Sequence, residues 1–495
     1  MLQNNDTNTL LEQTGSGTLI AQATPVGSWQ VSSTCPINPI HAALLYTGKV
    51  FFFTGSGNNP DTRNETQGSA VWDVNAGTFS RPTTPNDAAG LPLDLFCAGQ
   101  SFRPDGKLMV AGGTLQYDPF YGSTAALLFN PSTEQWERVA SMKRGRWYPT
   151  VVTLGDGRIF ALSGLDVNGQ LSINPEIYSS SFGWQVFSQP TSRLPMYSHL
   201  FLMNNGRLFY AGGYFENTGV SARILTLPSR FNRTITETPV SGLQDANFGE
   251  QAASVLLPPA QDQKVMIIGG GDSFGGTATR RVNIANLSVS SPTYTAAAPL
   301  NYARMHHNAV ILPDRTVFVC NGSGRGEDIS QSNLPAEIYN PATNTWTVAA
   351  TPSISGRVYH SVALLLPDGR VATTGGNPSR GSDERRIEIY SPAYMSQTRP
   401  VISSAPQTTG YGTTITIQTP QAANIKWVSL IKPMATTHSC DTDQRLVDLP
   451  INSRASTSLT VGVTSNRNVA TPGYYMLFIT DNNNVPSVAR WIQVT

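Results

Sequence analysis

The stretch DGKLMVAGG, residues 105–113, combines a tight turn, an apolar strand and a glycine pair. An Asp-Gly turn between strand-forming residues is a strong signal for a β-hairpin. Variants of this stretch recur along the chain, with the turn residue at intervals of 49–58 positions. The seven copies are TGKVFFFTGSG (47–57), DGKLMVAGG (105–113), DGRIFALSG (156–164), NGRLFYAGG (205–213), DQKVMIIGGG (262–271), DRTVFVCNG (314–322) and DGRVATTGG (368–376).

A repeat of this length and pattern resembles the kelch repeat, whose unit is one four-stranded blade of a β-propeller. A second element supports the resemblance, because LLFNPSTEQW (127–136), EIYSSSFGW (176–184) and EIYNPATNTW (337–346) each follow a glycine pair and have the pattern of an outer hairpin. Unrelated hairpins in a sandwich would not stay in register over seven copies. We therefore predict an all-β fold with an N-terminal tail (1–26) and a seven-bladed kelch-type β-propeller (27–399).

The pattern changes after the last repeat. Short segments of alternating apolar and polar residues follow from Pro400, and they suit an immunoglobulin-like β-sandwich over residues 400–495. The segments are TTITIQT (413–419), IKWVSLI (425–431), SLTVGV (458–463), YYMLFIT (474–480) and ARWIQVT (489–495).

Composition agrees with a β-rich fold and excludes several function classes. The chain has 43 glycines, 34 prolines and only 13% charged residues, which indicates short strands and tight turns. A net charge of +1 without a basic run argues against nucleic acid as a partner. No apolar run is long enough for a membrane span, and the first residues lack the pattern of a signal peptide. Few lysines and many Thr, Asn and Ser favour an extracellular or cell-surface location, and we expect a monomer.

The repeat register predicts a cluster of chemically active side chains. The position nine residues before the turn glycine holds redox-capable or metal-binding types, and in a propeller equivalent strand ends converge near the central axis. These residues are Cys97, Tyr148, Tyr197 and His360, with His306 nine residues before Arg315.

Tyr359 and His360 stand side by side in GRVYHSVALLLPDGR (356–370). Neighbouring strand residues point to opposite faces, so both reach one ion only at a strand end or bend. An isolated pair of this kind is more often core packing, but the further partners favour a site. His438, in the polar segment MATTHSCDTDQR (434–445), either reaches back to this opening or lies in a surface loop.

Four motifs resemble those of the galactose oxidase and glyoxal oxidase family of copper radical oxidases, over roughly residues 27–495. RWYPT is closer to the glyoxal oxidases than to galactose oxidase. The motifs are DLFCAG (94–99), RGRWYPT (144–150), GRVYHSVALLLPDGR (356–370) and THSCDTDQR (437–445).

The resemblance implies a cofactor and a reaction. It implies a thioether between Cys97 and Tyr148 that carries a tyrosyl radical, and one Cu(II) per chain held by Tyr148, His360 and His438, with Tyr359 as axial ligand and general base. Imidazole and tyrosinate oxygen suit Cu(II). The implied reaction oxidises a small aldehyde, as its hydrate, or a primary alcohol with O2, giving acid or aldehyde and hydrogen peroxide. A peroxide-using enzyme is a further expected partner.

The sequence also departs from galactose oxidase. Asp166 stands where that enzyme has a tryptophan stacked on the radical tyrosine, so either another aromatic such as Trp147 covers the ring or the radical is less protected. Phe274 and Gly275 replace its sugar-contacting residues, which argues against galactose as substrate. Tyr197, His306 and Phe274 are predicted to surround the ligands.

Two questions stay open at the level of sequence. Cys320 reads as a buried apolar residue, whereas Cys440 is either a neighbour of the site, a disulfide partner of Cys35 or without a role. The chain is either the oxidase or a kelch propeller that only binds a glycan or protein partner, and a role in matrix cross-linking through peroxide is a third possibility. Retention of all five motif residues favours the oxidase.

Overall fold

The computed structural model describes residues 26–57, 59–62, 68–377 and 382–495. The predicted N-terminal tail lies outside the described residues, apart from Val26. Strands joined by loops and turns make up the described chain, which has almost no helix, and no helix within it is long and apolar enough to cross a bilayer. Its short 3-10 helices are Pro60–Thr62, Ala260–Asp262, Ile329–Gln331, Ala393–Ser396 and Ala422–Asn424.

Within the described residues, seven antiparallel sheets take their strands from residues 28–441, six of them with four strands and one with six. The first sheet contains Cys440–Asp441, Ala435–Thr437, His41–Leu44, Val50–Gly55, Gly68–Asp73 and Thr78–Ser80. The second contains Ala98–Phe102, Leu108–Gly112, Ala126–Asn130 and Gln135–Arg138. The third contains Thr150–Thr153, Ile159–Leu162, Glu176–Ser179 and Gly183–Val186, and the fourth contains Leu200–Leu202, Leu208–Tyr210, Arg223–Thr226 and Thr236–Pro239.

The last three of these sheets have the same order of strands. The fifth contains Ala253–Leu256, Lys264–Ile268, Val282–Asn286 and Tyr294–Ala296. The sixth contains Met305–Ile311, Val317–Ser323, Glu337–Asn340 and Thr345–Val348. The seventh contains Ser361–Leu365, Val371–Gly375, Arg386–Ser391 and Ser28–Thr34, and a separate two-stranded sheet contains Thr114–Gln116 and Tyr121–Gly122.

The predicted repeat register is confirmed by the turns. Each residue at a predicted turn position has a left-handed backbone, with φ between 54 and 89°. Glycine adopts this conformation without a steric cost, which explains its prevalence there. The predicted outer hairpins are also strand pairs, since each joins the third and fourth strands of its sheet. The turn residues are Gly48, Gly106, Gly157, Gly206, Gln263, Arg315 and Gly369.

The sheets contact one another through their first strands. Met305–Ile311 packs against Ser361–Leu365, and Ser361–Leu365 in turn packs against His41–Leu44 of the first sheet. The seventh sheet therefore lies next to the first. Its outermost strand is Ser28–Thr34, which pairs antiparallel with Arg386–Ser391. Residues from the two ends of the repeat region thus complete one sheet.

The predicted C-terminal strands are confirmed, and they form two sheets that bury an apolar interior. The five-stranded sheet contains Thr408–Thr409, Arg490–Val494, Gly473–Asp481, Ile425–Ile431 and Leu446–Asp448. The three-stranded sheet contains Thr414–Gln418, Ser458–Gly462 and Ile451–Arg454. Their apolar side chains are continuous with those of the fourth and fifth sheets, so burial holds the C-terminal strands against the repeats.

Between these strands the chain leaves the C-terminal sheets. Ala435–Thr437 pairs with His41–Leu44, and Cys440–Asp441 pairs with Ala435–Thr437, which extends the first sheet. The sequence did not predict this extension, because the two strands are short and polar. The intervening residues, His438 and Ser439, are consequently buried among the repeats.

Three buried ion pairs recur at the same place in different sheets. Each arginine precedes a predicted site residue by two or three positions, and each glutamate also accepts backbone N–H groups from the loop before that arginine. A buried charge must be paired, so the pair fixes the loop against the sheet. The N–O distances are 3.1 Å for Arg146–Glu176, 3.0 Å for Arg304–Glu337 and 3.2 Å for Arg357–Glu388.

Candidate metal centre

Six residues that precede or begin the first strands of their sheets share an unusual backbone conformation. We call them the left-handed set, since φ lies between 42 and 66° at each. Non-glycine residues rarely adopt this conformation, and where they do the surroundings must impose it. Five of the six were predicted from the repeat register; Gln251 was not. The set consists of Cys97, Tyr148, Tyr197, Gln251, His306 and His360.

Backbone hydrogen bonds connect members of the left-handed set from one sheet to the next. The Tyr148 N–H donates to the Cys97 carbonyl at 2.9 Å, and the Tyr197 N–H donates to the Tyr148 carbonyl at 3.0 Å. The His306 N–H donates to the Gln251 carbonyl at 2.9 Å. These bonds hold residues that are distant in sequence next to each other.

The two tyrosines of the predicted site meet at their hydroxyl groups. Tyr148 and Tyr359 share a hydrogen bond between their Oη atoms, and both side chains are buried. The Cys97 thiol also interacts with the Tyr148 hydroxyl, which partly offsets the effect of burial in raising the pKa of Cys97. A sulfur near the phenol oxygen is the placement that a bond to the adjacent ring carbon requires.

His438 reaches this place from the C-terminal region. Its Nδ1 lies 2.6 Å from the Thr437 Oγ1, and that hydroxyl donates its only hydrogen to the Ile40 carbonyl at 3.0 Å. The hydroxyl must therefore accept from Nδ1–H, which leaves the lone pair on Nε2. That atom lies 3.7 Å from the Cys97 Sγ.

His360 has the same tautomer for a similar reason. Its Nδ1 donates to the Asn377 Oδ1 at 3.1 Å, and its buried Nε2 has no hydrogen-bond partner in the described part of the chain. The ring stacks on Tyr359, with centroids 3.7 Å apart. Both residues precede the strand Ser361–Leu365, so the strand alternation that would separate them has not begun.

These donors fit a copper ion. The ligand atoms of Cys97, His360 and His438 lie within 4.8 Å of one another. Burial lowers the pKa of His360 to about 3 and that of His438 well below its ordinary value, so both rings are neutral, the form that binds metals. Two imidazole nitrogens and two phenol oxygens form an N,O donor set of the kind that Cu(II) prefers.

The phenols are protonated without a metal. Burial raises the pKa of Tyr148 and of Tyr359 well above the ordinary value, and Cys97 raises both further, whereas the hydrogen bond with Tyr148 acts to lower the pKa of Tyr359. A bound cation acts in the opposite direction, because it stabilises the phenolate.

Aromatic rings enclose Tyr148. Phe215 lies parallel to it with ring centroids 4.6 Å apart and planes at 3°, whereas Trp147 and Tyr197 contact it edge-on. Trp147 therefore contacts the tyrosine through its edge and does not stack on it. Sequence reasoning missed Phe215, which belongs to no repeated motif. The Tyr197 hydroxyl donates to the Ala98 carbonyl at 2.8 Å.

The remaining predicted residues lie around this group. His306 and Phe274 contact Tyr359 edge-on, with ring centroids 5.6 and 4.9 Å from its ring. Asp166 belongs to a turn instead, where its carboxylate accepts the N–H groups of Asn168 at 2.8 Å and Gln170 at 3.0 Å. Cys35, Cys320 and Cys440 are buried free thiols like Cys97, so no disulfide joins Cys35 to Cys440.

Sequence comparison identifies the family. The profile described as glyoxal oxidase N-terminus matches residues 69–394. The chain belongs to the galactose oxidase and glyoxal oxidase family. The profile described as galactose oxidase-like, early set domain matches residues 399–494 of this family member.

Relatives from fungi and plants agree with this membership. A galactose oxidase of Gibberella zeae is 29% identical over 510 residues, covering 95% of this chain and 71% of that protein. An aldehyde oxidase GLOX of Vitis pseudoreticulata is 26% identical over 535 residues, covering 96% of this chain and 98% of that protein. The solved structure of a fungal alcohol oxidase in complex with copper has a TM-score of 0.81 and 26% identity, covering 95% of this chain and 100% of that one.

Family membership makes the chain an oxidase of the copper radical class. The alternative of a repeat protein that only binds a glycan or protein partner is not favoured by these matches.

Proposed function

We propose that the chain oxidises small aldehydes, as hydrates, or primary alcohols with O2, and releases hydrogen peroxide. One observation carries the proposal: Cys97, Tyr148, Tyr359, His360 and His438 come from four separate chain segments and meet at one buried point. A core that only packs has no need for two neutral imidazoles and two phenols there.

The proposed scaffold is a seven-bladed β-propeller over residues 27–399 with a β-sandwich over residues 400–495. Each of the seven sheets is one blade. Contacts between the first strands of neighbouring sheets, and between those of the seventh and first sheets, support the ring. The strand Ser28–Thr34 joins the last blade from the other end of the repeats.

In the proposed site, His360 Nε2, His438 Nε2 and the Tyr148 and Tyr359 oxygens would hold copper. When bound, copper would supply a one-electron redox couple and draw the phenols toward their ionised forms. The protein-derived partner is a thioether between Cys97 Sγ and a Tyr148 ring carbon next to the hydroxyl. Its formation breaks the S–H and a ring C–H bond and releases two protons and two electrons, which O2 accepts to give hydrogen peroxide.

The chain's own residues divide the reaction between them. Tyr359 Oη takes the proton of the substrate hydroxyl, and the Tyr148 oxygen, as a radical, takes a hydrogen atom from the carbon. The substrate loses two electrons and two protons in all, and O2 receives both to give peroxide. Phe215 and Trp147 exclude water from the Tyr148 ring throughout.

The apolar rim favours small substrates over sugars. Half-buried apolar side chains surround the tyrosines, and none of them offers a hydrogen bond to a sugar hydroxyl. An apolar lining binds a compact carbon skeleton by excluding water. These side chains are Phe120, Leu165, Leu171 and Phe274.

Loading with copper in air tests the proposal. The wild-type protein is expected to lose the mass of two hydrogens in the peptide pair containing Cys97 and Tyr148 and to migrate faster on a denaturing gel. Cys97→Ser should do neither, and Cys320→Ser, which removes a buried cysteine elsewhere, should behave as wild type. If the wild type forms no cross-link, the radical-oxidase mechanism is wrong. A cross-linked protein that releases no peroxide from aldehydes, alcohols or sugars would contradict the proposed reaction.

A further inference from the structure

Two members of the left-handed set have no role in the site as described so far. Gln251 and His306 are adjacent through the hydrogen bond between the His306 N–H and the Gln251 carbonyl. Each is only 2% exposed. Both have left-handed backbones, with φ of 49° and 58°, so the fold holds these two polar side chains in place at a steric cost.

Two of their buried polar atoms lack protein partners. One ring nitrogen of His306 interacts with the Phe274 backbone carbonyl, and the other has no hydrogen-bond partner among the described residues. The Gln251 Oε1 likewise has none there, and the amide is oriented by its Nε2, which donates toward the Glu250 Oε1 at 3.5 Å. Buried polar atoms are nearly always hydrogen-bonded, so two such atoms together indicate a polar ligand.

The position of His306 places this ligand beside the reacting group. Its ring lies edge-on to Tyr359, with centroids 5.6 Å apart, and 5.4 Å from Phe274. Tyr359 is the residue that we assign to the substrate hydroxyl. A group bound by His306 is therefore within a few bonds of the carbon that is oxidised.

The hydrogen-bonding groups of Gln251 and His306 determine which kind of ligand group they can bind. The interaction with the Phe274 carbonyl engages the N–H of the neutral imidazole, so its other nitrogen and the Gln251 Oε1 face the ligand as two acceptors. Two acceptors suit a hydroxyl, which can donate its hydrogen, and do not suit a carboxylate, which only accepts. We propose that Gln251 and His306 form a subsite for a second hydroxyl group next to the one deprotonated by Tyr359.

This inference rests on the proposed function and narrows its substrate class. Two kinds of substrate carry such a hydroxyl: an aldehyde hydrate has it on the reacting carbon, and a 1,2-diol has it on the next carbon. A simple primary alcohol has neither, and leaves the subsite atoms unpaired. A site built to hydrogen-bond a group discriminates strongly against analogues that lack it.

Steady-state kinetics on the copper-loaded full chain test the subsite. The matched pairs are 1,2-propanediol with 1-propanol, and hydrated acetaldehyde with ethanol. We expect Gln251→Leu and His306→Leu each to lower kcat/KM about tenfold for the hydroxyl-bearing member of a pair, mainly through KM, and less than twofold for the simple alcohol. His306→Gln, which keeps a donor and an acceptor, should restore part of the loss.

His307→Leu is the matched control, because it removes the neighbouring buried imidazole, whose pKa is lowered by burial and then by Arg304, His306 and His199. This variant should leave unchanged the ratio of the kcat/KM values for the two substrates of each pair. If Gln251→Leu and His306→Leu lower kcat/KM selectively for the hydroxyl-bearing member of either pair, the subsite is supported and that pair identifies the type of substrate. Equal losses for both members, or no loss for either, would overturn it.

A binding measurement separates this proposal from the proposed function. Saturation-transfer NMR on the copper-free protein is expected to show stronger contact with 1,2-propanediol than with 1-propanol, and the difference should disappear in His306→Leu. Absence of peroxide with every substrate, together with this difference, would reject the oxidase reaction and keep the subsite. Equal transfer to both ligands in the wild type would reject the subsite.

Discussion

Phe215 lies parallel to Tyr148 at a centroid distance of 4.6 Å, and both rings are buried. An apolar ring over the face of a phenol excludes water from it, and such aromatic pairs contribute about 0.5–1.5 kcal/mol.

Replacing Phe215 by leucine should shorten the lifetime of the Tyr148 radical. We expect its optical absorption to decay about three- to tenfold faster, in keeping with the loss of one aromatic pair. Phe318→Leu is the control, because Phe318 is also stacked on a tyrosine, Tyr390, with centroids 4.4 Å apart. Equal decay rates in Phe215→Leu and Phe318→Leu would exclude a protective role for Phe215.

Thr437→Val should weaken copper binding. The Thr437 hydroxyl is the acceptor that keeps the proton of His438 on Nδ1, and loss of such a partner typically lowers metal affinity roughly 10- to 100-fold. Competition with a chelator measures the change, and Thr436→Val on the same strand is the control. An unchanged affinity would show that the tautomer is set by another group.

Glu388→Gln should destabilise the fold far more than a surface charge change. The residue pairs with Arg357 and accepts the N–H of Ile354 at 3.2 Å, so its loss leaves a buried guanidinium unpaired, which costs about 3–5 kcal/mol. Urea unfolding measures the loss. Glu384→Gln, which breaks the more exposed pair with Arg386, is expected to cost at most about 1 kcal/mol. Similar costs for the two variants would contradict the structural role of the buried pair.

The buried carboxyl group of Glu250 should make the free energy of unfolding depend on pH. Burial raises its pKa from 4.5 to about 8, so the folded protein holds this proton more tightly than the unfolded chain does. The stabilisation that comes from this tighter proton binding is complete below pH 4.5 and is lost as the pH rises toward about 8. Glu250→Gln should therefore gain stability relative to wild type across that interval, by up to roughly 5 kcal/mol. Thermal unfolding at several pH values measures this gain. A pH profile of Glu250→Gln parallel to that of the wild type would refute the assignment.

Short-range patterns in the sequence were enough to predict the repeated hairpins, although not the extension of the first sheet by Ala435–Thr437 and Cys440–Asp441. The turn residues from Gly48 to Gly369 have a left-handed backbone, which favours glycine, so glycine recurs at regular intervals in the sequence. The same spacing located most of the left-handed set, because the first strand of the sheet lies between each member and the turn residue that follows it. The roles of Tyr359 and His438 came from resemblance and not from spacing.

Gln251 and Phe215 were missed for different physical reasons. The turn before Gln263 contains the extra residues of the 3-10 helix Ala260–Asp262, so counting back nine positions reaches Ser254 and not Gln251. Phe215 contacts Tyr148 only through the packing of neighbouring sheets, which no local pattern encodes. Tertiary contacts between repeats are the part of the site that one sequence does not reveal.

The insertion of Ala435–Thr437 beside His41–Leu44 sets an order of events during biosynthesis. His438 enters the site only after all seven repeats have left the ribosome, because it follows their strands in sequence. Under the proposed ligand set, a chain that stops before His438 lacks one of the two imidazoles that would hold copper. A molecule truncated in this way is thereby prevented from assembling the proposed radical centre.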